Sequence, residues 1–198
     1  MQAPSWQMTA PAVRALLKDG ALAGEWVLDP RKSSIRLKSR SMAGLVRVNG
    51  VFRKISGNGT VSPDGKVSGT VTVAAASIDT KNTKRDTHLR SADFFDSDNH
   101  PDIIFTVHDI RPSGQGAAVT GALTVRDRTR PLSLDAAASV RGDGEVWLDA
   151  EVHINRADFG LTWNLMGTVS MKNTLTIHAV FTVAQTGEQA GKRPSGHR

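Results

Sequence analysis

A period of two, running with interruptions from Glu25 to about Ala184, constrains this chain more than any other feature. Apolar residues take alternate positions at Ile35 and Leu37, at Val67, Val71 and Val73, at Ile103, Phe105 and Val107, and at Val119, Leu123 and Val125. The rule continues through Leu132 and Leu134, through Val146, Leu148, Val152 and Ile154, and through Leu175, Ile177, Phe181 and Val183. Between them stand polar residues such as Arg36, Lys38, Thr70, Thr124, Asp149, Glu151, His153, Thr176 and His178. Successive strand side chains point to opposite faces, so each run has one dry and one wet face. That pattern belongs to an antiparallel sheet, because a parallel sheet covered on both sides reads as unbroken apolar runs. The segments PDG, SGQG and GDG punctuate the runs as turns.

About eight such strands, with no helical layer long enough to cover a flat sheet, bury a dry face only by closing or by stacking as a sandwich. Closure also removes exposed edges. The pattern therefore gives an all-β, antiparallel fold of about eight strands, either a closed barrel or a sandwich. Six positions on the dry face are small: Gly69, Gly121, Ala136, Ala138, Ala150 and Ala179. Small inward residues leave a lumen unfilled or fit a tapered solid core, and the pattern alone leaves both open.

The flanks differ from this body. Residues 11–20, PAVRALLKDG, carry Pro at a first helical position and a closing Gly20, the signature of one short helix. After Ala184 the chain is nearly devoid of apolar residues and reads as a disordered tail. The expected organisation is a helical extension over 1–23, one barrel domain over 24–184 and a tail over 185–198, which suits a length of 198 residues. The first thirty residues hold no basic segment followed by an apolar run, and no later run approaches the ~20 residues of a spanning helix. The expectation is a cytoplasmic protein. The absence of Cys fits that and excludes thiol nucleophiles, disulfides and Cys-type metal sites.

The formal charge of +6 is uneven: residues 1–99 hold 15 Lys and Arg against 9 Asp and Glu. From Pro30 to Pro63, Arg31, Lys32, Arg36, Lys38, Arg40, Arg47, Arg53 and Lys54 occur without one acid. Their alternation with Ile35, Leu37 and Ser39 makes them the outer face of a strand. No aromatic residues alternate with them, so nucleic acid is the disfavoured partner and an anionic membrane surface the better one.

One segment breaks the period. Residues 77–102 read as a helical crossover with Asp79 or Asn82 as N-cap, a stretch to about Arg90, and the pair Phe94 and Phe95 before Pro101. Arg85, Asp86, His88 and Arg90 make it the most polar part of the chain. They suit an anion clamp, or caps and ion pairs that fasten the crossover. Six histidines show no HExxH spacing, and neither a G-x-S-x-G elbow nor a phosphate loop occurs, so no enzymatic activity, cofactor or metal is expected.

The strings GEWVLDPRKSSI at 24–35, RDTHLRSADFFD at 85–96, VTGALTVRDRTRPLSL at 119–134 and NRADFG at 155–160 resemble the YceI-like family of polyisoprenoid-binding, lipocalin-like bacterial proteins. The resemblance spans roughly Gly24 to Ala184. It implies an eight-stranded barrel with a long hydrophobic lumen holding an isoprenoid or similar amphiphile, for carriage, storage or stress-related lipid handling. Three departures stand out: many relatives carry a secretion signal where this sequence opens on a helix-like segment, Asp127 in RDRTRP replaces a common turn glycine, and TWNLMG at 162–167 marks a subset of relatives.

On this reading Leu37, Val71, Phe105, Leu123, Leu134, Leu148, Ile177 and Phe181 line the lumen. Phe94, Phe95 and Trp163, with Leu165 and Met166, are candidates for its mouth. Arg85, Arg90 and Arg156 are candidates for a phosphate or similar headgroup, because a guanidinium makes bidentate contacts. Trp147, outward among Glu145, Asp149 and Glu151, suggests a partner or homodimer contact, or cover by the N-terminal helix. The alternative is a packed barrel whose basic surface binds nucleic acid or a protein.

Overall fold

A computed structural model describes residues 15–41, 45–113, 116–141, 144–163 and 169–184. Eleven strand segments follow the chain: β1 (Gly24–Leu28), β2 (Ser34–Ser41), β3 (Val46–Phe52), β4 (Ile55–Val61), β5 (Val67–Ala74), β6 (Ile78–Asp79), β7 (Asp102–Ser113), β8 (Gly116–Val125), β9 (Arg128–Arg141), β10 (Glu145–Asn155) and β11 (Lys172–Val183). Helix α1 (Thr83–Arg90) lies between β6 and β7, and residues 15–18, the described part of the expected N-terminal helix, are helical.

All pairings are antiparallel, and the eleven segments merge into eight long strands. The chain breaks between β1 and β2 at Pro30, whose ring removes a donor. Val180 takes up both sides of the break: Asp29 N donates to its carbonyl, and its own N–H donates to Ser33 Oγ. Consequently β1 and β2 share one edge of β11, with Leu28 opposite Phe181 and Leu37 opposite Leu175. This pairing of last strand with first closes the barrel. Likewise β3 continues into β4 past Arg53, and β5 into β6 through a 3-10 turn over Ala75–Ser77.

The period of two predicts most of the inward set, but Val183, the last residue of β11, is exposed and off the cavity wall, and β7 breaks the alternation part-way along. A bulge between Val107 and Asp109 shifts the register of β7 by one residue, so Ile110 turns inward where strict alternation points it out. Helix α1 starts at Asn82, whose side chain accepts from Arg85 N. Asp79, the other expected cap, instead accepts from Lys81 N and Arg53, which pull its carboxyl down to about 2. At the β8–β9 turn the left-handed residue is Arg126, with φ 57°, and Asp127 follows it.

Trp147 is not an open contact surface. It is half-buried, with the Arg141 guanidinium 3.4 Å over its ring and the His178 ring edge-on at 5.1 Å. Glu145, expected outward, is buried because Lys32 and Trp147 Nε1 both donate to it, and Lys32 lowers its pKa.

Candidate functional site

The dry faces of the eight strands enclose an internal cavity of about 290 Å³ with almost wholly apolar walls. On β10, Val146, Leu148, Ala150, Val152 and Ile154 all face it, and on β11 Leu175, Ile177, Ala179 and Phe181 do. The β10 set spans ~27 Å along the strand at ~3.3 Å per residue. The space is therefore long. Every predicted lumen residue lies on its wall: Leu37, Val71, Phe105, Leu123, Leu134, Leu148, Ile177 and Phe181.

The small residues divide. Gly69, Ala136, Ala150 and Ala179 face the cavity, while Ala138 is buried beyond it. Gly121 leaves no space, because a Cβ there would stand 2.8 Å from the Phe105 ring and 2.2 Å from the Thr106 carbonyl oxygen. Its role is to admit that ring. The expected packed-core alternative does not describe this interior.

At one end the lumen meets Leu17, Leu22 and Trp26, whose indole donates to the Leu22 carbonyl. Trp26 keeps the alternation of β1, buried with Leu28 while Val27 is exposed, whereas Leu17 and Leu22 precede β1 and lie outside the alternating pattern. At the other end stands the crossover. Phe94 and Phe95 are buried against each other edge-on at 4.9 Å, and Phe95 meets Phe52 at 6.1 Å. Both line the cavity and anchor the crossover at once.

The charged residues of the crossover serve the backbone. Asp86 is buried and accepts from Thr80 N and Thr80 Oγ1, while Arg85 donates to Thr80 Oγ1 at 2.7 Å and to the Thr80 carbonyl at 2.9 Å. Arg90 donates to the Ile78 carbonyl. Neither Arg85 nor Arg90 reaches the lumen wall. Their bonds fasten α1 to β6.

Arg156 differs. In NRADFG, Asn155 Oδ1 accepts from Ala157 N, a 3-10 turn covers Arg156–Phe159, and Gly160 ends it at φ 73°. That turn buries Phe159 and Leu161 and sends the Arg156 side chain inward, where the residue is 4% exposed. Its guanidinium donates to the carbonyls of Leu161, Trp163, Ser170 and, at 3.4 Å, Val169, and lies 5.6 Å from the Phe94 ring. No carboxylate pairs with it among the described residues, and desolvation lowers its pKa. It is the one Arg or Lys on the cavity wall among the described residues. Of the predicted mouth residues, Trp163 is 38% exposed and packs its ring, tilted by 55°, against His88 at 4.1 Å, off the cavity wall. Leu165 and Met166 lie outside the described residues. Asp93 and Asp158 are both exposed. No cluster of three or more metal-ligating side chains occurs among the described residues, and none of their helices is long and apolar enough to cross a membrane.

Comparison with known proteins agrees with this architecture. A model of the YceI-like domain matches residues 26–181. A UPF0312 protein of Serratia proteamaculans is 32% identical over 168 residues, covering 80% of this chain and 86% of its own. Protein YceI of Escherichia coli O6:H1 is 35% identical over 113 residues, which is 54% of this chain and 58% of that protein. Among solved structures, BcnA of Burkholderia cenocepacia superposes with a TM-score of 0.70 at 23% identity, covering 77% of this chain and 98% of BcnA. A polyisoprenoid binding domain from Saccharophagus degradans superposes at 0.60 with 15% identity, covering 80% and 98%. A closed barrel of eight antiparallel strands, a family match across nearly all of it and a relative similar along most of its length place the chain in the YceI-like family.

Proposed function

We propose that this protein binds a long-chain isoprenoid or similar amphiphilic lipid in the barrel lumen and performs no chemistry on it. The observation that carries the reading is the continuous apolar wall, from Val146 to Ile154 on β10 and from Leu175 to Phe181 on β11. Such a wall stabilises a chain through burial alone, at about 0.8 kcal/mol per methylene before ordering costs. Length then selects the ligand. The polyisoprenoid-binding neighbour and the family match support an isoprenoid as the class. A polar head would sit beside Arg156 at the crossover end, the one Arg or Lys on the cavity wall among the described residues, with a guanidinium that suits a phosphate.

Native mass spectrometry of the purified chain, before and after organic extraction and re-exposure to a long-chain isoprenoid, tests the proposal. The expected result is a lipid adduct that extraction removes and re-exposure restores. A chain that neither carries nor accepts such a lipid would sink it. Replacing Ala136 and Ala150 by Phe, where both small side chains face the cavity, should abolish the adduct while leaving the strand signal in circular dichroism intact.

A further inference from the structure

The outer surface at the crossover end has no part in the lumen. Leu45, which leads into β3, is 86% exposed, the adjacent Val46 38%, and Trp163 in the connection from β10 to β11 also 38%. Three of the five exposed large apolar side chains among the described residues therefore gather at this end; Val27 and Val183 belong to the other. The three share one end because the β10–β11 connection is tied to β2, with Ser170 N donating to the Arg40 carbonyl at 2.9 Å.

Cations stand directly behind these apolar groups. Arg40 and Arg47 sit opposite each other across the β2–β3 pair, Lys38 and Arg36 continue the same outer face of β2, and Lys172 opens β11. All five are exposed, and none makes an ion pair or a side-chain hydrogen bond among the described residues. Like charges directly opposite in a sheet destabilise it. The arrangement is reasonable where an external anion completes it.

Exposed apolar side chains at a tip with uncompensated cations behind them match the layering of a bilayer surface, where apolar groups enter below the headgroups and Lys and Arg meet the phosphates. Nucleic acid would satisfy the cations but not Leu45 and Val46, which offer no stacking face. We propose that the β2–β3 end of the barrel docks on an anionic lipid bilayer, with Leu45, Val46 and Trp163 in the interfacial layer and Arg40, Arg47, Lys38 and Lys172 on the headgroup phosphates. Docking needs nothing in the lumen. If the lumen reading holds, it also turns the Arg156 end of the cavity towards the membrane.

Co-sedimentation of the full chain with vesicles of phosphatidylcholine alone, and of phosphatidylcholine mixed with phosphatidylglycerol, tests this. The protein should sediment with the mixed vesicles, far less with neutral ones, and progressively less as salt rises. Replacing both Arg40 and Arg47 by Glu should weaken partition about thirty-fold or more. Replacing Leu45 and Val46 by Ser should remove the part of the binding that salt does not. Both double variants should keep the wild-type thermal midpoint and any lipid adduct seen by native mass spectrometry, which separates loss of docking from loss of the fold or of the lumen ligand. Equal sedimentation with the two vesicle types, or wild-type partition by either double variant, overturns the proposal. Binding to a short DNA duplex at low salt without binding to either vesicle would replace it with a nucleic-acid surface.

Discussion

The two ends of the barrel are closed by different chemistry. Where β1 begins, Leu17, Leu22 and Trp26 form a plug whose main polar tie is one indole hydrogen bond. At the opposite end the crossover and the NRADFG turn are held by Arg85, Asp86, Arg90, Arg126 and Arg156, each bonded to backbone atoms. Apolar contact is non-directional and tolerates settling, whereas charge-assisted bonds in a dry setting depend on geometry. The first end works as a stopper and the second as a fitted cap.

That contrast is broken or sharpened most strongly by two truncations. Phe95→Ala, in the buried Phe52, Phe94 and Phe95 group, should cost about 3–5 kcal/mol in denaturant unfolding, while Leu22→Ala should cost about 2 kcal/mol because a short terminal segment can settle into the gap. Equal losses would mean the plug is as rigidly fitted as the cap. Arg156→Met comes next: it strips donors from the carbonyls of Leu161, Trp163 and Ser170, and an expected loss of about 2–4 kcal/mol in the same assay distinguishes a fitted cap from carbonyls that simply rehydrate.

The smallest effect is a pH dependence. Asp79 is held at about 2 by Lys81 N and the Arg53 guanidinium, below its ordinary carboxylate value in the unfolded chain. A depressed carboxyl contributes stability above that ordinary value and loses it as pH falls through the folded one. Thermal melts of Asp79→Asn should therefore lie below wild type at neutral pH, with the gap closing as pH drops from about 4 to about 2. A gap that does not change over that window would mean the β6 end of the crossover is not held by this carboxylate.

Legibility in the sequence followed regularity. Leu37, Val71, Phe105, Leu123, Leu134, Leu148, Ile177 and Phe181 were readable because alternation fixes the face once one residue is placed, and a one-residue slip would expose the whole set. Ile110 was not, since a bulge leaves no local signature in DIIFTVHDI. The arginines illustrate the other limit. Arg85, Arg90 and Arg156 look alike as headgroup candidates, yet two are spent on β6 and one reaches the lumen wall, a difference made by where a helix and a 3-10 turn aim their side chains. Alternation places Trp147 on the outer face, but its cover, Arg141 and His178, comes from the neighbouring strands β9 and β11, which a single strand's pattern does not show.

By itself the sequence determined the antiparallel class and most of the strand faces, because both follow from short-range alternation, while closure rather than a sandwich rests on the pairing of β1 and β2 with β11. Only the tertiary structure decided that the interior is a cavity, that Gly121 admits a ring while Ala136 and Ala150 leave space, and which arginine enters. Those depend on which side chains meet across strands far apart in the chain, and residue size at one position does not say what faces it.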